Sequence, residues 1–334
     1  MGVRITSTGI SRDADTFSIV DHSGRAARRS LERAGIRPDQ VGVLINAGVF
    51  RDSNTVEPAV SALIQKSAGI GLDYRSGDSR SFSFDLMNGA VGVLNAVQVA
   101  QSVLTTGSAE HVLIVSGDTH PSLARGAADD EFPYATASAA LLLENTARDE
   151  GFGRVHTSTG DGTPAVESYV DVATMGTVGR TLMTVEREPG FEDRLLDVAL
   201  EVARAALDEA DDIDLAATAV IASTPSAAFP QRLADKLGIA AVRLPELEAG
   251  DPHTAALPLA YDHAVREDSL AGYTRVLFVA AGAGPSAAAV LYRLPAGERN
   301  PSPAAEQNLS SAAVPHPSPA AVQHPSPAAV GAAG

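Results

Sequence analysis

The chain carries the same order of segments twice. VGVLINA (Val41 to Ala47), a helix-like run ending SAGI, the apolar run NGAVGVLNAVQVAQSV and HVLIVSG are echoed by AVIAS (Ala219 to Ser223), a run ending KLGI, DPHTAALPLAYDHAV and RVLFVAAG. Short apolar runs without strict alternation suit strands covered on both faces, and their alternation with longer helical runs implies an α/β chain with a mainly parallel sheet. A repeat of that pattern predicts two similar halves whose equivalent loops meet at the centre. The functional site is expected there.

The same reading places strands at Val41 to Ala47, Ser83 to Leu86, His111 to Ser116, Ala139 to Leu143, Ala219 to Ser223, Arg275 to Ala281 and Ala287 to Arg293. Helices are expected at Ser23 to Ala34, Thr55 to Ser67, Asn88 to Thr105, Glu192 to Ala210, Phe229 to Leu237 and Pro252 to Arg266. Gly35 and Gly107 follow two of them as stop signals, and Asp251-Pro252 reads as N-cap and first-turn proline of the last. The run Asn88 to Thr105 is apolar nearly all round, which predicts a central helix buried between sheets, with Gly89 and Gly92 allowing another backbone to approach its first turn. After Leu294 the character changes: PSPAA recurs at Pro301, Pro317 and Pro325, a proline density that opposes both helix and ladder. The expected organisation is an N-terminal half over 1–170, a C-terminal half over 171–295 and a disordered tail over 296–334, in which His316 and His324 are only repeat members.

Composition narrows the function classes. With 25 Lys+Arg against 41 Asp+Glu the formal charge is −16, which opposes binding to nucleic acid or to an anionic membrane. The absence of cysteine removes disulfides, thiolate metal sites and any Cys nucleophile. MGVRITSTGISRDADTF lacks a basic-then-apolar signal pattern and no run of about 18 apolar residues occurs, so a cytoplasmic protein is expected. His111, His120, His156 and His263 share no metal-ligand spacing, and Gly160-Asp161-Gly162 lacks a Walker lysine. Gly282-Ala-Gly284 follows a strand but precedes another, so no helix N-terminus is there to hold a dinucleotide. No metal and no cofactor are expected. His120, at the end of the SGDTHPS strand, is a minor site candidate.

FDLMNGAVGVLNA (Phe84 to Ala96), followed by VLIVSGD (Val112 to Asp118) and VLFVAAGAGPSAAAVLYR (Val276 to Arg293), resembles the thiolase superfamily. The similarity is greatest to β-ketoacyl-acyl-carrier-protein synthase III and to the head-to-head condensing thiolases of bacterial olefin synthesis. It implies a five-layered α-β-α-β-α fold, a dimer, and acyl transfer or Claisen condensation on thioesters of coenzyme A or acyl-carrier protein. On this resemblance the position of the family's nucleophilic Cys is held by Ala90, that of its His by Ser223 and that of its Asn by Asp251. RDSNTVEP resembles the olefin enzymes' segment with a glutamate base that reaches the partner subunit, which places Glu57 in that role. Asn88, Gly282 and Gly284 are expected around the substrate pocket.

Each candidate has a plainer role beside the chemical one. Glu57 is a general base or a complement to a helix dipole. His253 is a general base or carbonyl ligand, or else a structural group near a helix end. Asp251 is better suited to capping, and Ser223 is a nucleophile only with a base in reach. Arg25, Arg28, Arg29 and Arg33 fall on one predicted helix, as a docking patch for an acidic carrier or as a solvated face. Three functions compete: a synthase III-like acyltransferase of fatty-acid, polyketide or other secondary metabolism that works without the Cys; an inactive partner that completes a heterodimer with a Cys-bearing paralogue; and a domain that only binds an acyl chain or carrier.

Overall fold

The computed structural model describes residues 2–52, 58–71, 81–121, 132–169, 173, 183–242 and 250–295. The expected disorder of 296–334 lies outside them. The first sheet runs in the order β1-β5-β4-β2-β3, from β1 (Gly2–Ser11), β2 (Val41–Asn46), β3 (Phe82–Asp85), β4 (His111–Asp118) and β5 (Ala137–Thr146). Later in the chain come β6 (Gly151–Phe152), β7 (His156–Thr159), the hairpin β8 (Val166–Tyr169) with β9 (Thr184–Arg187), then β10 (Thr218–Ala222), β11 (Ala240–Ala241), β12 (Arg275–Gly282) and β13 (Ser286–Arg293). The second sheet runs β11-β10-β12-β13-β6, with β7 also paired to β13.

The two orders are the same topology. In each, a central strand pairs in parallel with both neighbours (β2 with β3 and β4, β10 with β11 and β12), and two antiparallel strands follow on one side. Helices α1 (Ile19–Ala34) and α2 (Val60–Ala68) cover the outer face of the first sheet. Helix α3 (Gly92–Thr105) packs between the sheets with α6 (Ala256–Arg266), and α4 (Phe191–Asp208) with α5 (Phe229–Leu237) covers the outer face of the second sheet. The result is the five-layered thiolase-like arrangement of two pseudo-symmetric halves. Its largest cluster of buried apolar residues is the middle layer, where Val93, Leu94, Val97 and Leu104 of α3 meet Leu257, Ala260 and Tyr261 of α6.

Local chemistry explains several element ends. Ser18 caps α1, and Gly35 closes it in the left-handed region (φ 67°) while Ile36 returns its N–H to Leu31. Helix α2 has no cap of its own. Asp85, at the end of β3, supplies one by accepting from the Val60 and Ser61 amides at 3.0 and 2.8 Å and from the Asn46 side chain at 2.9 Å. One carboxylate thus joins β2, β3 and α2.

Three expected helices begin later than the sequence implies, the one expected from Thr55 starting at Val60 after the non-helical Pro58 and Ala59. Asn88 to Val91 form a turn, because Gly89 takes φ 52° and Asn88 accepts both the Val91 and Gly92 amides; α3 then starts at Gly92. The segment from Pro252 opens with a 3-10 turn at His253–Ala255, since His253 itself lies at φ 47°. Strand β1 was not foreseen: GVRITSTGIS is rich in Ser, Thr and Gly, yet its alternate residues Val3 and Ile5 are buried against β5. No helix among the described residues is long and apolar enough to cross a membrane.

Candidate active site

A cavity opens where α3 begins, where β10 and β12 end, and where the Asp251 loop enters the 3-10 turn. It encloses about 350 Å³, part of it open to solvent, and is lined by Ala90, Ser223, Asp251, His253 and Gly282, with Tyr134, Arg187 and Phe191 completing the polar and aromatic wall. Gly282 lies directly against Ala90: a Cβ built on it would meet the Ala90 Cβ and N at 3.4 Å. The remaining surface is apolar, from Val166, Leu195 and Pro225.

The strongest polar arrangement at this cavity is a histidine held by a buried carboxylate. Asp118, the last residue of β4, is fully buried and accepts from five donors. Its Oδ1 takes the Val49 and Phe50 amides at 3.0 and 2.8 Å; its Oδ2 takes the Thr254 amide at 3.1 Å, the Thr254 hydroxyl at 2.5 Å and His253 Nδ1 at 3.1 Å. A carboxylate only accepts, so Nδ1 carries the proton and Nε2 is left as the basic atom. Nε2 makes no hydrogen bond within the described residues.

Burial alone would push the Asp118 carboxyl up, but the His253 charge and the hydrogen bonds of His253, Thr254 and Phe50 outweigh it and hold Asp118 below its ordinary 3.8. Burial likewise disfavours the charged imidazole; Asp118 reverses that and raises His253 above 6.5.

The His253 backbone is in the left-handed region, which costs a non-glycine residue roughly 1–3 kcal/mol unless its surroundings enforce it. Asp251 enforces it through Oδ1, which accepts the His253 amide at 2.8 Å and the Thr224 hydroxyl at 3.0 Å. Burial pushes the Asp251 carboxyl up, against the opposing pull of His253, Thr224 and Arg187. Tyr134 stacks on the imidazole at 4.2 Å between centroids, and Phe50 stacks in turn on Tyr134 at 5.2 Å.

The 3-oxoacyl-[acyl-carrier-protein] synthase III family profile matches residues 84–162, which run from β3 through α3, β4 and β5 to just beyond β7. A β-ketoacyl-[acyl-carrier-protein] synthase III of Sphingopyxis alaskensis is 30% identical over 283 residues, 80% of this chain and 82% of the relative. The chain belongs to the β-ketoacyl-acyl-carrier-protein synthase III family. Solved structures share its fold. The 3-oxoacyl-(acyl carrier protein) synthase III of Pseudomonas aeruginosa superposes with a TM-score of 0.72 at 17% identity, covering 89% of this chain and 99% of that one. A priming β-ketosynthase from a polyketide biosynthetic pathway gives 0.69 at 18% identity, covering 89% and 97%.

Within this synthase III fold, the cavity brings together five of the residues singled out from sequence: Ala90, Ser223, Asp251, His253 and Gly282. Asn88 is exposed and bonds to Asn95 at 2.8 Å, and Gly284 sits in the turn between β12 and β13, so neither belongs to the wall; Ala283 lines it instead. Glu57 lies outside the described residues.

Ser223 is tied to the backbone in both directions. Its hydroxyl donates to the Ala281 carbonyl at 3.1 Å and accepts the Ala281 amide at 2.9 Å, which fastens the end of β10 to β12. His120 packs edge-on against Phe132 at 4.9 Å and is not part of the cavity wall. The arginines of α1 are engaged by their own chain: Arg25 by Asp13 and Asp15, Arg29 by Asp13, Arg28 by the Ser67 carbonyl and Arg33 by buried Asp262. Three residues of the site carried no expectation: Asp118, Tyr134 and Arg187. Asp118 had a legible signal, an acid closing the mostly apolar strand HVLIVSG. Arg187, in the charged run TVEREP, had none.

Proposed function

We propose that the chain is a synthase III-like acyltransferase in which His253, held by Asp118, is the general base and no covalent acyl-enzyme forms. The observation that carries this reading is the open Nε2 of His253 in the cavity that also holds Ala90. A methyl group cannot form a thioester, so an acyl group would pass directly from coenzyme A or acyl-carrier protein to an acceptor. Nε2 takes the proton from an acceptor hydroxyl or amine as its oxygen or nitrogen bonds to the thioester carbonyl carbon. The tetrahedral species then collapses with cleavage of the C–S bond, and the leaving thiolate recovers the proton from the imidazolium. Products are an ester or amide and the free thiol carrier. The relatives' names point to fatty-acid or polyketide synthesis as the setting, and Glu57 is carried as a second base on family resemblance alone.

A dimer is part of the proposal. Among the described residues strand β3 is the outer edge of the first sheet, and its Phe82 and the following Met87 are 56% and 53% exposed, an apolar edge suited to pairing with a second copy. The bare methyl at Ala90 also favours a second reading, an accessory subunit paired through this edge with a Cys-bearing paralogue. Purified chain incubated with a series of acyl-CoA donors and alcohol or amine acceptors decides between them. Turnover that falls about 10²-fold or more in His253→Gln supports the enzyme. Copurification from native cells with a synthase whose activity drops without this chain, together with no turnover by the chain alone, supports the subunit.

A further inference from the structure

The mechanism above leaves one charged group of the cavity unused. Arg187 is the last residue of β9, and the chain turns directly from it into α4, whose Phe191 and Leu195 continue the same wall. Its guanidinium lies 5.2 Å from the Phe191 ring centroid and 5.8 Å from that of Tyr134, so two aromatic faces hold the fork in place. Nε is buried and has no hydrogen-bond partner, and no carboxylate among the described residues lies within ion-pair distance of the guanidinium. The nearby acid, Asp251, bonds through Oδ1 to Thr224 and His253 and feels the Arg187 charge without pairing with it. The Arg187 charge is nonetheless felt across the cavity, by Asp251, His253 and Tyr134. In a chain of net charge −16, an arginine that no ion pair among the described residues engages, beside the proposed base, is suited to an anion.

We propose that Arg187 selects a reactant bearing a carboxylate, held by the guanidinium fork while the reacting carbon lies within reach of His253. Carboxylate is the chemistry that matches a planar donor fork bidentately, and the cavity is open to solvent on the side where a carboxyl-bearing reactant would enter. The carboxylate belongs either to the acyl group, as in a dicarboxylic half-thioester, or to a small acid that enters as acceptor. This inference rests on the acyltransferase reading of the same site.

Equilibrium binding to the full chain separates the two sources. In the acyl arm, dissociation constants of succinyl-CoA and butyryl-CoA are measured by calorimetry; in the acceptor arm, butyrate and butyramide are compared by ligand-detected NMR. The expected result is a preference of about tenfold or more for the charged member in one arm, collapsing to under about threefold in Arg187→Met and retained in part in Arg187→Lys. Equal affinity for charged and neutral members in both arms, or a preference that survives Arg187→Met, overturns the role of Arg187 while leaving the acyltransferase reading intact. Failure of both CoA thioesters and both small acyl probes to bind overturns the two together.

Discussion

Replacing Asp118 by asparagine changes almost no volume and tests both the stability and the chemistry of the site. With the amide oxygen at the Oδ1 position, the Val49 and Phe50 amides keep an acceptor but lose its charge; on the other side an NH₂ faces the Thr254 amide and His253 Nδ1. The Thr254 hydroxyl can rotate to accept, but its N–H cannot, and a buried donor without a partner costs about 1–3 kcal/mol. Adding the weakened bonds at Oδ1 and the lost pairing with His253 brings Asp118→Asn to about 3–5 kcal/mol of destabilisation, the range expected when one member of a buried ion pair is removed. The only bonded state left to the imidazole has Nδ1 accepting and Nε2 protonated, which removes the base and lowers the rate of acyl transfer by about 10²–10⁴.

The pH dependence has a definite sign. The Asp118 contribution is present above its ordinary 3.8 and lost as pH falls through its depressed folded value. That of His253 is complete below 6.5 and lost as pH rises through its raised folded value. Urea unfolding of wild type and Asp118→Asn should differ most between pH 3.8 and 6.5, and less on either side. In wild type kcat/KM should rise with pH through a point above 6.5, where His253 becomes neutral. A stability difference below about 1 kcal/mol near pH 5, or a rate within about threefold of wild type, would refute the dyad.

Three further outcomes follow from the geometry. Ala90→Cys places a thiol in the cavity wall, and incubation with an acyl-CoA should give a thioester adduct by mass spectrometry; no adduct would mean that the wall no longer receives thioesters. Ser223→Ala removes two hydrogen bonds to Ala281, and should cost about 1–3 kcal/mol in urea unfolding while acyl transfer changes less than about threefold; a loss of 10²-fold would make Ser223 the nucleophile. Asp85→Ala strips the cap from α2 and a bond from Asn46, with an expected loss of about 1–3 kcal/mol, and an unchanged unfolding midpoint would show that α2 is held by its buried face alone.

Much of the architecture was legible because it rests on apolar runs. The strands around Val43, Ile114, Val220 and Val279 are buried, and continuous hydrophobic sequence marks such strands directly. The repeated order of segments also foretold the repeated sheet topology. What escaped depended on contacts made at a distance. The partially buried edge strand β1 is written in Ser and Thr, and short pieces such as β6 and β11 exist only because a longer neighbour offers them a ladder. At the site, His253 was conspicuous as a histidine directly after the Asp251-Pro252 helix start. Its partner Asp118 lies 135 residues earlier, and nothing local to either marks them as a pair. The tethering of Ser223 to Ala281 is equally invisible before the strands are aligned.

That separation carries a consequence for how the protein comes into being. Asp118 belongs to the first of the two repeated sheets, while His253 arrives in the crossover between β10 and β12 of the second, so neither repeat possesses a base by itself. As the polypeptide emerges, the early repeat must carry an acidic group destined for the interior before its counter-ion has been synthesised. Docking of the late repeat neutralises that group and arms the imidazole in one event, making maturation of the chain and onset of its chemistry simultaneous.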